Sequence, residues 1–224
     1  MKLLAIDTST ERASLALLCN DEISSAEQPA MRQHAQLILP MIDALLGNAG
    51  IGVKQLDGIV FGRGPGSFTG LRIACSVAKG LAFAHDLPLF PVSTLETIAS
   101  DAFMQDSLKL PKYGLLAVID ARMNQLYWAY YPEEGTVAGE QVSCVSDITI
   151  QDDCPLILAG VGYHPYLEKL PLAISSRIIH NAEIYPNAKA MLRIAGQGRL
   201  TAVSAATALP VYVRNQVIQG ATHG

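Results

Sequence analysis

Cysteine is sparse in this chain, with four residues among 224 and no Cys-x-x-Cys pair. Cys19 and Cys75 each stand inside an apolar run, where a free thiol is an ordinary core residue. Such wide spacing argues against a disulfide framework. The sequence therefore predicts free thiols and a cytoplasmic protein.

Long apolar runs and strong positive charge are missing as well. No stretch approaches the roughly eighteen apolar residues of a membrane span, and the N-terminus begins on a predicted strand rather than on a signal peptide. The net charge is −4, which argues against a broad basic face for nucleic acid. We expect no contact with a membrane, and only weak binding of RNA by the isolated chain.

The common catalytic and metal-binding patterns are also absent. No two of the five histidines are close enough in sequence to form a helical metal-binding pair. Ser67 has no Gly-x-Ser-x-Gly motif around it, and a buried or capping hydroxyl is its simpler interpretation. The sequence therefore predicts no metal site, no catalytic residue and no protease activity.

What the sequence does contain is a glycine-rich block between a predicted strand and a predicted helix. Residues 62–72 read Gly-Arg-Gly-Pro-Gly-Ser-Phe-Thr-Gly-Leu-Arg, after an apolar run and before a helix-period pattern. Two interpretations stay open: the helix start binds an anion through free backbone N–H groups, or the glycines only allow close packing. The spacing matches neither the P-loop nor the dinucleotide-binding fingerprint.

The order of predicted elements repeats along the chain. Residues 115–120 (LLAVID) echo residues 3–7 (LLAID), and each segment ends in an aspartate before a hairpin turn. Two tandem β-β-β-α units, the second reduced, describe the α/β fold of actin, Hsp70 and sugar kinases. We expect an N-terminal actin-like subdomain over residues 1–108 and a shortened second one over 109–224. The C-terminal segment, from about residue 205, is expected to pack back on the first subdomain.

Several motifs together resemble the bacterial TsaB (YeaZ) family. They are the glycine-rich block, residues 4–9 (LAIDTS), 91–95 (PVSTL), 119–122 (IDAR) and 210–215 (PVYVRN). Their order over nearly the whole chain is that of the family. The resemblance implies an actin-like (ASKHA) fold and a role in making N6-threonylcarbamoyladenosine at position 37 of tRNAs that read ANN codons. It implies a non-catalytic subunit that shapes the transferase.

The resemblance also implies partners. A larger catalytic paralogue, the TsaD-type threonylcarbamoyl transferase, would carry out the transfer, and a small P-loop ATPase of the TsaE type would complete the complex. The chain alone would form a homodimer and would meet tRNA only through the complex. No cofactor is implied for the isolated chain, and ATP or ADP would enter only at an interface of the complex.

The first hairpin turn is predicted to be the remnant of a nucleotide or phosphate site. A carboxylate at a strand end suits Mg²⁺ held through waters, and neighbouring hydroxyls suit phosphate oxygens. The second turn, after Asp120, lacks the glycines that would let backbone reach phosphate. The alternative is a free-standing ATP-dependent enzyme of the actin and sugar-kinase group that uses Asp7 and Thr8. The residues of this vestigial site are Asp7, Thr8, Ser9, Gly64, Gly66 and Ser67.

One predicted helix is too apolar for a single buried face. On a helical wheel of residues 31–46, apolar side chains cover roughly 200°, about twice the arc that a one-sided surface helix needs. A neighbouring helix over residues 70–85 either covers the surplus or, with its small residues, forms half of a helical interface beside it. The resemblance implies that the chain pairs with itself and with the larger paralogue through these helices. The predicted interface residues are Met31, Ala35, Ile38, Ile42, Leu45, Ala74, Val77, Ala78 and Leu81.

Overall fold

Two five-stranded sheets organise the molecule. The computed structural model describes residues 1–30, 33–105, 112–136 and 138–213. The first sheet has the strand order β3-β2-β1-β4-β5, in which β1 pairs antiparallel with β2 and parallel with β4. Its strands are β1 (Lys2–Asp7), β2 (Arg12–Cys19), β3 (Glu22–Pro29), β4 (Gly58–Gly64) and β5 (Leu89–Ser93).

Three helices belong to this first unit. Ser67 caps the second helix by accepting a hydrogen bond from the Gly70 N–H, and Ser93 caps the third by accepting one from the Glu96 N–H. The Ser-Thr-Leu-Glu run at residues 93–96 predicts a cap at Ser93, and the structure confirms it. The first helix begins later than predicted and includes Pro40. The helices are α1 (His34–Asn48), α2 (Phe68–His85) and α3 (Thr94–Met104).

The second sheet repeats the topology of the first. Its order is β10-β9-β6-β7-β8. Read from the other edge, this order is β8-β7-β6-β9-β10, so the five strands β6 to β10 occupy the same places as β1 to β5 in the first sheet. This repetition confirms the predicted duplication and the predicted fold class. Its strands are β6 (Gly114–Arg122), β7 (Gln125–Tyr131), β8 (Gln141–Cys144), β9 (Leu156–Val161) and β10 (Ile178–Glu183).

The reduction of the second unit falls on its outer helices. The place that α1 takes in the first unit holds only the 3-10 turn Val145–Asp147. The place of α2 holds the 3-10 helix His164–Lys169 and the short helix α4 (Leu172–Ser175). The last helix of the pattern is kept as α5 (Ala188–Gly196), where the sequence also predicts a helix. The sequence predicts a third strand near residues 137–145, of which residue 137 lies outside the described residues, and the structure has the much shorter β8 there.

The elements stack in layers because the inner strands are apolar on both faces. Leu4 and Ile6 pack against α1 and α2 on one face of the first sheet, while Leu3 and Ala5 pack against α5 on the other. Helix α3 covers the facing side of the second sheet and contacts α5. Thus α5, which follows the second sheet in sequence, packs on the first sheet. The predicted division between residues 108 and 109 lies outside the described residues.

The last described segment, residues 203–213, runs along the first unit, and we call it the strap. Val203 and Leu89 exchange two backbone hydrogen bonds, of 2.8 and 3.0 Å. Further along, the Lys79 ammonium donates to the Ala208 carbonyl at 3.0 Å, and the Val211 N–H donates to the Arg63 carbonyl at 2.7 Å. The strap therefore ends beside the first turn of α2.

Candidate functional site: a closed polar turn and an open apolar groove

The first hairpin turn is a buried polar cluster. Asp7 is 1% exposed, and its Oδ1 accepts hydrogen bonds from the Ser9 N–H at 3.0 Å and the Ser9 hydroxyl at 2.8 Å. Its other oxygen, Oδ2, has no hydrogen-bond partner. Burial raises the pKa of Asp7 to about 6, although the hydrogen bonds from Ser9 oppose the rise. The chain thus holds a carboxyl group where its charged form is costly.

The glycine-rich block closes over this turn. The Thr8 hydroxyl donates to the Gly70 carbonyl at 2.7 Å, and the Ser67 N–H donates to the Ser9 carbonyl at 2.7 Å. A Cβ on Gly70 would lie 1.8 Å from the Thr8 carbonyl oxygen, and one on Gly66 would lie 2.5 Å from that of Ser9. Close packing therefore explains these glycines. A phosphate site at the turn stays a prediction.

The remaining predicted site residue, Gly64, is covered by the strap. It has a φ of +112°, and a Cβ there would lie 2.8 Å from the Val211 carbonyl oxygen. The six residues of the predicted nucleotide remnant are thus close together. The Thr8 hydroxyl and Asp7 Oδ1 are engaged by the block and by Ser9, and Asp7 Oδ2 is left without a partner. His34 also ties α1 to the turn, since its Nε2 lies 2.9 Å from the Thr10 carbonyl oxygen. Burial lowers the pKa of His34, while its contact with the Thr10 carbonyl opposes the change.

The second hairpin turn is built differently. Asp120 Oδ1 accepts from the Arg122 N–H at 2.7 Å and from the Tyr166 hydroxyl at 3.0 Å. Its Oδ2 pairs with the largely exposed Arg122 guanidinium at 3.0 Å. Gly162 approaches Asp120 in the second unit as Gly62 approaches Asp7 in the first. The aspartates are equivalent in the fold, but only Asp7 is buried without a cation.

An apolar groove lies open between α1 and α2. Its volume is about 390 Å³. Leu39 and Phe68 stand on its rim with 54% and 55% of their surfaces exposed. Exposed apolar side chains that border one groove are typical of a contact surface for a partner. The groove is lined by Ala35, Ile38, Leu39, Phe68, Thr69, Arg72, Ile73, Ser76 and Val77.

The structure places most of the predicted interface residues in the core of the first unit. Five of the nine residues are buried in the core of the first unit, because the apolar arc of α1 faces the sheet and α2 packs beside it. Of the rest, Ala35 is exposed, Val77 and Leu81 are half-buried, and Met31 lies outside the described residues. The five core residues, which have little surface to offer a partner, are Ile38, Ile42, Leu45, Ala74 and Ala78; an interface formed by these two helices stays a prediction.

Sequence reasoning missed the exposed residues that shape the groove. Leu39 fell inside the apolar arc without being singled out, and Phe68 and Arg72 were hidden in a motif noted for its glycines. Their spacing of one helical turn was the available signal. The strap contributes Tyr212, whose ring centroid lies 5.4 Å from that of Phe68, and no local pattern connects residues so far apart in sequence.

Two further observations concern the described residues only. Residues 1–30, 33–105, 112–136 and 138–213 contain no group of three or more His, Cys, Asp or Glu side chains able to hold a metal ion. Within that same part of the chain, no helix combines the length and hydrophobicity needed to cross a membrane.

Several known proteins are similar to this chain in sequence and in fold. A family model described as "TsaD: tRNA N6-adenosine threonylcarbamoyltransferase" matches residues 23–164. A protein of Haemophilus influenzae named tRNA threonylcarbamoyladenosine biosynthesis protein TsaB is 37% identical, over 97% of this chain and 95% of that protein. The chain belongs to the TsaB (YeaZ) family. The Escherichia coli protein of the same name is also 37% identical, over 97% of this chain and 96% of its own length.

Solved structures of the TsaB (YeaZ) family agree with this assignment. The structure called YeaZ from Pseudomonas aeruginosa superposes with a TM-score of 0.84 at 37% identity, covering 94% of this chain and 99% of that one. A second P. aeruginosa structure, described as an uncharacterised protein similar to peptidase YeaZ, gives a TM-score of 0.85 at 38% identity, covering 95% and 99%. The predicted family and its fold are confirmed.

Two glycines of α2 offer a matched test of the close approach. Gly70→Ala should destabilise the protein by about 1–3 kcal/mol, because the added Cβ would displace the Thr8 carbonyl. Gly80→Ala should stabilise it by about 0.5–1 kcal/mol, because nothing lies near that Cβ and alanine is the better helix former. Chemical denaturation measures both. Equal effects of the two substitutions would show that the first is only a change of helix propensity.

Because the carboxyl group of Asp7 is buried, Asp7→Asn should increase the stability of the fold by an amount that depends on pH. The raised pKa means that folding is favoured while Asp7 is protonated, and that this advantage is lost as the pH rises from 3.8 through about 6. Asparagine cannot ionise, so the variant should gain about 2 kcal/mol more stability at about pH 8 than at about pH 4.5. Denaturation midpoints at the two pH values measure it, with exposed Asp43→Asn as the control. A gain independent of pH would contradict this account.

Proposed function

We propose that this chain acts in making N6-threonylcarbamoyladenosine at position 37 of tRNAs that read ANN codons. The observation that carries the proposal is the 37% identity, over 97% of the chain, to proteins named for the biosynthesis of threonylcarbamoyladenosine. The chain is a non-catalytic subunit that binds and shapes the transferase through the groove between α1 and α2.

The state of the polar turn supports a non-catalytic role. An ATP-dependent enzyme of this fold would need a carboxylate and hydroxyls open to Mg²⁺ and phosphate. Asp7 and Thr8 are instead buried, and each is hydrogen-bonded within the turn or to α2. No observation on the described residues favours the free-standing enzyme, and ATP or ADP enters our proposal only at an interface of the complex.

The groove supports a helical partner. Its walls are two helices with exposed apolar rims, and Ser76 and Gly80 on α2 leave room for a close helix crossing. The match of residues 23–164 to a model described for the transferase suggests that the larger TsaD-type paralogue carries corresponding helices. We propose that these helices dock on the groove, that a TsaE-type ATPase completes the complex, and that the chain alone forms a homodimer. Transfer RNA is met through the complex.

A charge on the groove rim tests this role. Leu39→Glu should leave the fold intact, because Leu39 is 54% exposed. Docking would then bury an unpaired carboxylate at a cost of several kcal/mol, so binding of the paralogue should fall by more than about a hundredfold. Titration calorimetry with the purified TsaD-type protein measures binding, and mass spectrometry of digested tRNA measures the modification.

The matched control is Ala44→Glu, which places the same charge on an exposed position of α1 outside the groove. It should bind and support modification like the unmodified chain. Circular dichroism confirms that both variants are folded. If Leu39→Glu binds as well as Ala44→Glu, the groove is not the docking surface. If binding is lost but modification persists, the scaffold role is wrong.

A further inference from the structure

An exposed cation is held in a fixed position at the end of the groove. The Arg72 guanidinium lies over the Phe68 ring, with its central carbon 3.8 Å from the ring centroid. Its Nε–H donates to the Tyr212 hydroxyl at 3.1 Å, and the Tyr212 ring packs on Phe68. An arginine stacked in this way loses less side-chain freedom when it makes a further contact. Such pre-organisation is typical of residues that dominate interfaces.

Arg72 has remaining hydrogen-bond donors and no carboxylate to receive them. Among the described residues, its side chain forms no ion pair, although an arginine offers five N–H donors. It is also the one charged residue in the described lining of the groove, which contains no acidic side chain. A partner that covers the groove must therefore supply a carboxylate or leave this cation unpaired.

We propose that Arg72 determines which partner occupies the groove, by pairing with a carboxylate on the helices of a heteromeric partner. This inference rests on the proposed function. In a symmetric dimer the same surfaces of two copies face each other. The groove lining of a second copy would offer Arg72 another arginine and no acid, which disfavours that pairing. A different chain with an acidic residue at this place is preferred over a second copy.

Tyr212 is a positioning residue in this arrangement. It belongs to the strap, which Arg63 holds through the hydrogen bond from the Val211 N–H. The Arg63 guanidinium in turn forms two bonds with Glu140 of the second unit, of 2.9 and 3.0 Å. The place of the cation therefore depends on the strap, and the arginine whose carbonyl holds the strap is itself paired with the second unit. Substitution of Tyr212 should therefore weaken binding of the heteromeric partner only because Arg72 is no longer held in position.

The test measures both assemblies for the same variants. Arg72→Gln should weaken binding of the TsaD-type partner by about tenfold or more, and should flatten the fall of affinity between about 50 and 500 mM salt. Self-association by sedimentation equilibrium should be unchanged or tighter. Tyr212→Ser should give a smaller loss of heteromer, and the double variant should lose no more than Arg72→Gln alone. Lys189→Gln, at an exposed lysine of α5, controls for net charge.

The outcomes separate this inference from the proposed function. If Leu39→Glu abolishes heteromer formation while Arg72→Gln binds like the unmodified chain, the groove docks the partner but Arg72 does not select it. Equal losses of heteromer and homodimer in Arg72→Gln would also overturn the inference, because Arg72 would then be only packing. If Leu39→Glu itself leaves binding intact, the proposed function fails. Arg72→Lys keeps the charge, and should retain the salt dependence if the inference is right.

Discussion

The contact between the first hairpin turn and the start of α2 is the constraint on which the rest of the first unit depends. The Thr8 hydroxyl bonds the Gly70 carbonyl at 2.7 Å, and no side chain fits between the two backbones. This approach fixes where α2 begins and how it lies beside α1. The groove is the space left between these helices, so its shape depends on this contact, which Gly70 makes between the groove residues Thr69 and Arg72.

The two units share one fold pattern, but their aspartate turns have different surroundings. Both units place an aspartate after their first strand, near a glycine of the neighbouring strand. In the first unit, burial makes the ionisation of Asp7 costly. In the second unit, Asp120 forms an ion pair with Arg122. Under the proposed function, the partner contacts the helical surface of the first unit, where apolar side chains remain exposed, and not the polar turns.

The strap connects that surface to the rest of the molecule. It pairs with β5 through Val203, bonds β4 through Val211, and ends with Tyr212 on Phe68. Tyr185 strengthens the connection between the units, because its hydroxyl donates to Glu11 at 2.8 Å and its ring lies under Arg12. A partner docked on α1 and α2 would therefore meet a surface whose geometry is supported by both units.

Much of the fold followed from local pattern. The repeated segments LLAID and LLAVID, each with its aspartate and hairpin, predicted the duplication, since alternating or continuous apolar runs specify strands without tertiary information. Ser93 predicted the start of α3 because a cap depends only on its near neighbours. The ends of α1 and the start of β8 differ from the prediction, because helix ends depend on contacts outside the helix and strand length depends on the pairing partner.

The sequence by itself determined the order of elements, the family, and the presence of one helix with more apolar surface than a single face can bury. It could not assign that surface. Ile38 and Leu39 are adjacent apolar residues, yet one is 1% and the other 54% exposed. Only the packing of α1 on the sheet decides which is core. The cluster of Phe68, Arg72 and Tyr212 likewise exists because the strap returns to α2, and contacts between distant segments leave no local pattern in a sequence.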